Sequence, residues 1–105
     1  MPSMSYQDYL IESLKDPEEA AGCLNAALEG GDLQVFLLAL RNVIQAHGGV
    51  AKVAEKTHKG RNSLYKTLSD KGNPYLRSTN EILQAVDLRL VIETKKSARV
   101  KKKAA

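Results

Sequence analysis

Two glycine pairs and one Gly-Asn-Pro run set the limits on how this chain can fold. Gly30-Gly31, Gly48-Gly49 and Lys71-Gly72-Asn73-Pro74 divide it into short lengths. Paired glycines end helices, because only glycine enters the left-handed region freely, and proline cannot extend one. The lengths between these breaks suit short helices. None holds an apolar run near the roughly 18 to 20 residues that a membrane span requires, and the opening MPSMSYQDYL lacks a basic region followed by an apolar stretch. Neither secretion nor membrane insertion is expected.

Helix-start signals fall just after the breaks. Ser5 and Asp8 have capping-box spacing and open a helix of about Tyr6 to Leu14, with Tyr6, Leu10 and Leu14 on one face. Asp16 caps the next helix, Pro17 suits its first position and Glu19 its positive first turn. That helix, to about Glu29, is expected to bury Ala20, Leu24, Ala27 and Leu28. Asp32 caps a third, to about Ala46, whose Leu33, Phe36, Leu37, Leu40, Val43 and Ile44 form a broad apolar stripe. Two shorter helices follow, Val50 to Lys56 and about Arg61 to Leu68. Ser78 and Glu81 repeat the capping-box spacing ahead of Ile82, Leu83 and Val86.

After Asp87 the period changes: Leu88, Leu90 and Ile92 alternate with Arg89, Val91 and Glu93, as in a short strand. Such a strand either pairs across a two-fold axis or packs as unpaired extended chain. The expected fold is an all-α bundle of five to six helices, with room for one short C-terminal strand. Residues 1–31 are read as a helical extension, 32–93 as the main domain and 94–105, which end in KKSARVKKKAA, as a flexible basic tail.

With 105 residues the chain has room for one core. With no Trp and a single Phe, that core is built from Leu, Val, Ile and Ala. The only cysteine, Cys23, has no second cysteine to pair with. It reads as a small buried apolar residue, and a reducing, cytoplasmic setting is expected. The formal charge of +4 hides an asymmetry. Residues 1–45 carry 7 acidic and 2 basic residues, net −5, while residues 46–105 carry 5 acidic and 14 basic residues, net +9. A basic half of this kind suits a nucleic-acid surface, where each Lys or Arg set on a phosphate releases counterions. It suits a solvated face as well.

The informative stretch is VAKVAEKTHKGRNSLYKTLSDKGNP, Val50 to Pro74. Two short helices joined by a tight turn can cross steeply if the crossing point is small and the facing sides are apolar. Ala54 supplies the small residue, and Val50, Val53, Leu64 and Leu68 point towards the helix of Leu33 to Ile44. Arg61, Asn62, Tyr65 and Lys66 are left on the outer side. Arg61 has the donors to bond guanine in two places and Asn62 the groups to pair with adenine. Tyr65 can meet a thymine methyl or a phosphate, and Lys66 a guanine or a phosphate. Gly60, Arg61 and Ser63 lie at a helix N-terminus, which favours a phosphate. Lys52, Lys59, Lys71 and Asn73 flank the motif and would set register on the duplex. The competing assignments are an ordinary polar face for Arg61 and Asn62, and a half-buried packing position for Tyr65.

On these residues the chain resembles a known family, the addiction-module antidotes (antitoxins) of the HigA-like group within the XRE/Cro-repressor class of helix-turn-helix domains. The resemblance runs from about Asp8 to Leu90 and is carried by YLIESLKDPEEAAGCLNAALEGGD, FLLALRNVIQAHGGVAKVAEKT, SLYKTLSDKGNP and LQAVDLRL. It implies a lambda repressor-like fold and a protein that neutralises a small basic toxin of the RelE/HigB kind. It also implies repression of its own operon by a homodimer on a palindromic operator, whose half-sites lie about 34 Å apart. The sequence departs from the family at His58-Lys59-Gly60, where Gly, an apolar residue and Ser are usual, and at Thr79 and Asn80, where aliphatic residues are usual. His58 then needs a left-handed backbone or a different turn. The acidic residues Asp8, Glu12, Asp16, Glu18 and Glu19 suit a surface for a basic toxin.

Two other functions fit the same domain: a stand-alone transcriptional regulator with no toxin partner, and a protein-interaction module without DNA readout. Catalysis is not expected. His47 and His58 have no carboxylate or cysteine at ligand or triad spacing, and there is no glycine-rich phosphate loop. No metal or cofactor is expected either.

Overall fold

The computed structural model describes residues 5–95. The described chain contains six helices: α1 (Tyr6–Ser13), α2 (Pro17–Gly30), α3 (Leu33–Ala46), α4 (Gly49–Thr57), α5 (Arg61–Leu68) and α6 (Leu76–Ala85). The expected caps of the first three hold. Ser5 Oγ accepts from the Asp8 amide at 3.0 Å, Asp16 Oδ1 from Glu18 at 2.9 Å and Asp32 Oδ1 from Gln34 at 2.9 Å. Each satisfies an amide that the first turn leaves without a partner. Gly31 (φ 76°) and Gly48 (φ 112°) make the reversals before α3 and α4.

α3 is the hub. It packs against α1, α2, α4 and α5, while α6 packs chiefly on α4. Leu37, Leu40, Val43 and Ile44 of α3 are sealed from solvent and meet Leu14, Ala20, Leu24, Val53, Leu64, Leu68, Ile82 and Val86 in a single cluster. Each large aliphatic side chain buried there contributes about 2 kcal/mol. Polar ties fix the order. Gln7 Nε2 donates to Asn42 Oδ1 at 2.8 Å, and the His47 ring lies 2.8 Å from the Leu14 carbonyl, so both ends of α1 are held along α3.

Several expectations need correction. Leu28 is about half exposed, because on α2 it lies some 80° round from Ala20 at 100° per residue. Leu33, in the first turn of α3, sits at the edge of the bundle, where it lines a cleft with Ala27, Leu28 and Phe36. Tyr6 is exposed because the first turn of α1 overhangs the core that takes Leu14. Ser78 does not open α6, which starts two residues earlier behind the N-cap Tyr75, immediately after Pro74. The Thr79 hydroxyl, in the first buried turn, donates back to the Tyr75 carbonyl at 3.1 Å.

The short strand expected over Leu88 to Glu93 is absent. Among the described residues no segment pairs as a strand, since they offer no second extended length to form a ladder. Instead α6 ends in a Schellman turn. Asp87 is left-handed (φ 64°), its amide donates to Gln84 at 3.1 Å and that of Leu88 to Leu83 at 2.8 Å. The basic tail assigned to 94–105 lies, from residue 96 onward, outside the described residues.

Candidate nucleic-acid interface

The three residues His58, Lys59 and Gly60 join α4 to α5. His58 takes the left-handed conformation that the sequence allows for it, with φ 59° and ψ 26°. Gly60 is extended and supplies no side-chain cap, so the first amides of α5 keep their donors pointing outward from the helix start. Val53 and Ala54 on one side of the turn and Leu64 and Leu68 on the other are buried, and Val50 is half-buried. The apolar sides therefore meet as expected.

Burial of Leu64 and Leu68 fixes the rotation of α5. Arg61, Asn62, Ser63, Tyr65 and Lys66 are all exposed, Tyr65 by 59%. The packing role considered for Tyr65 is thus at most partial. Its ring edges a shallow groove with Arg41, Gln45, Gly49, Val50 and Leu68. Among the described residues none of the side chains of Arg61, Asn62, Tyr65 and Lys66 is engaged in an internal hydrogen bond or ion pair.

Between Lys52 and Lys71 the chain carries six cations and two carboxylates, and the fold sorts the cations into two groups. Lys52, Arg61, Lys66 and Lys71 are exposed, as is Asn73 in the loop before α6. Lys56 and Lys59 instead turn to α6: Lys56 Nζ donates to the Ala85 carbonyl at 3.2 Å, and Lys59 Nζ lies 3.0 Å from Glu81 Oε1. The ammonium of Lys59, expected to face the duplex, is here paired with Glu81 of α6 at the partly exposed edge of the bundle.

Sequence reasoning missed two residues that hold this surface in place. Arg41 of α3 donates from its guanidinium to the Leu68 carbonyl at the C-terminal end of α5, where a cation also suits the helix dipole. Glu81 anchors the turn through Lys59. A basic residue facing the end of α5 from mid-α3 was the one signal available for Arg41, and it is visible only once the helices are docked. Gly72 was assigned to the turn for backbone freedom, yet its φ is ordinary. A Cβ there would collide with the Thr67 carbonyl, so the close approach of the two backbones selects glycine.

A sequence model of the family described as "Probable addiction module antidote protein" matches residues 5–94. This chain belongs to that family. The antidote family also frames its likeness to an uncharacterized protein of Haemophilus influenzae (strain ATCC 51907 / DSM 11121 / KW20 / Rd). The two are 28% identical over 89 residues, which cover 85% of this chain and 91% of the relative. No solved structure matches this antidote-family chain. Among its described residues no helix is long and apolar enough to cross a membrane, and no three His, Cys, Asp or Glu side chains group as metal ligands would.

Proposed function

We propose that this chain is the antitoxin of a toxin-antitoxin module and represses its own operon through a helix-turn-helix formed by α4, His58–Gly60 and α5. Membership of the antidote family supports the antitoxin role. The observation that carries the DNA-binding part is the outward row of Arg61, Asn62, Tyr65 and Lys66 on a helix whose opposite side is locked by Leu64 and Leu68. A helix so presented enters a major groove with its N-terminal residues against base edges. Arg61 and Asn62 then read bases, Tyr65 and Lys66 touch a base edge or a phosphate, and Ser63 with the uncapped amides of α5 holds the backbone. Lys52, Lys71 and Asn73 set register. A homodimer places two such helices on a palindromic operator.

The toxin partner is a small basic protein of the RelE/HigB kind, met by the acidic exposed residues of α1 and α2. The test is titration of operator against random DNA with and without Arg61→Ala. Sequence-specific binding that Arg61→Ala relaxes supports the reading. Equal affinity of the unaltered protein for both DNAs removes DNA readout from it.

A further inference from the structure

We infer that the toxin of the proposed function docks as an amphipathic helix in an apolar groove between α2 and residues 88–90, with a basic edge lying along α2. The inference rests on the antitoxin reading and names the surface that meets the toxin and the chemistry that fits it.

The groove follows from how the helices pack. α6 rests chiefly on α4 rather than on α2, so the turn that ends it carries Leu88 and Leu90 past α2 and leaves a gap. Two clefts open there. One lies among Ala21, Leu24 and Leu90, the other among Ala27, Gly31 and Leu33, and both have Leu28 and Phe36 in their walls, so they run on as one groove. From Ala21 to Gly31 its α2 wall is about 15 Å long at 1.5 Å per residue, room for roughly three turns of a second helix. Leu28 is 50% exposed, Leu33 41% and Leu90 37%. These side chains gain if a partner covers them.

Charge selects the occupant. At 100° per residue, Glu18 and Glu29 project about 20° and 40° round from Asn25, which lines the groove, and both are exposed. Among the described residues neither has an ion-pair partner. Asp32, whose Oδ1 caps α3, lines the far end. Three carboxylates thus edge the α2 side, and the guanidinium of Arg89 lies across from them. A helix with an apolar stripe and Lys or Arg along the edge facing α2 answers both floor and rim. Other occupants do not. The rim repels duplex DNA, and a second copy meeting this face sets concave against concave. Residues 96–105 bring five cations, but Val100 is their only apolar residue larger than alanine.

The probe is the small protein encoded by the reading frame that adjoins this gene, titrated onto the full chain, with thermal melts to show that each variant keeps the fold. Leu28→Glu sets an unpaired charge on the groove wall and should raise Kd by at least about tenfold. Leu38 of α3 is also 50% exposed but lines neither cleft, so Leu38→Glu is the control. It should leave Kd within about twofold. Glu18→Lys with Glu29→Lys should raise Kd by roughly tenfold at low salt and by less at high salt. No binding of the neighbour by the unaltered chain removes the antitoxin reading and this inference with it. Binding that Leu28→Glu or the paired glutamate reversal leaves intact, or that Leu38→Glu weakens as much as Leu28→Glu, overturns the groove alone and leaves the antitoxin reading standing.

Discussion

The ammonium of Lys59 stands 3.0 Å from Oε1 of Glu81, joining the α4–α5 turn to α6. That oxygen is buried, and among the described residues no donor meets it in hydrogen-bond geometry, so Lys59 compensates it by charge. The pair is partly exposed, with side chains 28% and 43% accessible, and is worth about 0.2 to 1 kcal/mol.

This makes Lys59 a positioning residue. In a double-mutant cycle by chemical unfolding, Lys59→Met and Glu81→Gln should each destabilise slightly, and the pair together by less than their sum. The salt dependence of operator binding should keep its slope in Lys59→Met. A slope reduced by about 0.9 would show instead that Lys59 neutralises a phosphate.

Arg61→Ala is expected to lose about 1 to 3 kcal/mol of discrimination at one base pair and to relax preference there. Lys71→Ala should weaken binding to every sequence alike and lower the salt slope by about 1. Competition binding with singly mismatched operators distinguishes the two. Uniform weakening by Arg61→Ala would move that side chain from base to backbone.

Gly72→Ala should destabilise the fold by more than about 1 kcal/mol, because the new methyl meets the Thr67 carbonyl and neither backbone can yield cheaply. Gly22, exposed in the middle of α2 with nothing within 4 Å of an added Cβ, provides the contrast. Gly22→Ala should stabilise by about 0.5 to 1 kcal/mol. Thermal melts of the two variants should shift in opposite directions.

Reversing Glu12, Glu18 and Glu19 to Lys should weaken capture of the toxin and spare operator binding. All three are exposed, and of them Glu12 alone has an ion-pair partner among the described residues, Lys15 at 2.8 Å. Pull-down from cells that co-express the toxin reads the effect. Undiminished capture would place the toxin on another surface.

The helices were legible from the sequence wherever a signal acts within one turn. Asp16, Asp32 and the glycine pairs fix ends by local hydrogen bonds and backbone freedom, and these hold. Ser78 misled because a capping preference of about 1 kcal/mol yields to a helix that can start directly after Pro74. The outer face of α5 followed from the spacing of Leu64 and Leu68. By contrast, the diversion of Lys56 and Lys59 to α6, and the reach of Arg41 to α5, link positions 22 to 29 residues apart. No local pattern encodes them. The alternation after Asp87 does mark a departure from helix, yet among the described residues no second extended length pairs with it to make a strand.

Because α3 touches four other helices while α6 rests chiefly on α4, cohesion is unevenly distributed along the chain. Amides of α3 should exchange with solvent only when the entire molecule opens, whereas α6 can peel away at smaller cost and carry the segment after Asp87 with it. A partner that grips that segment would therefore steady the least secured helix, and through the Lys59–Glu81 tie would tighten the turn that aims α5.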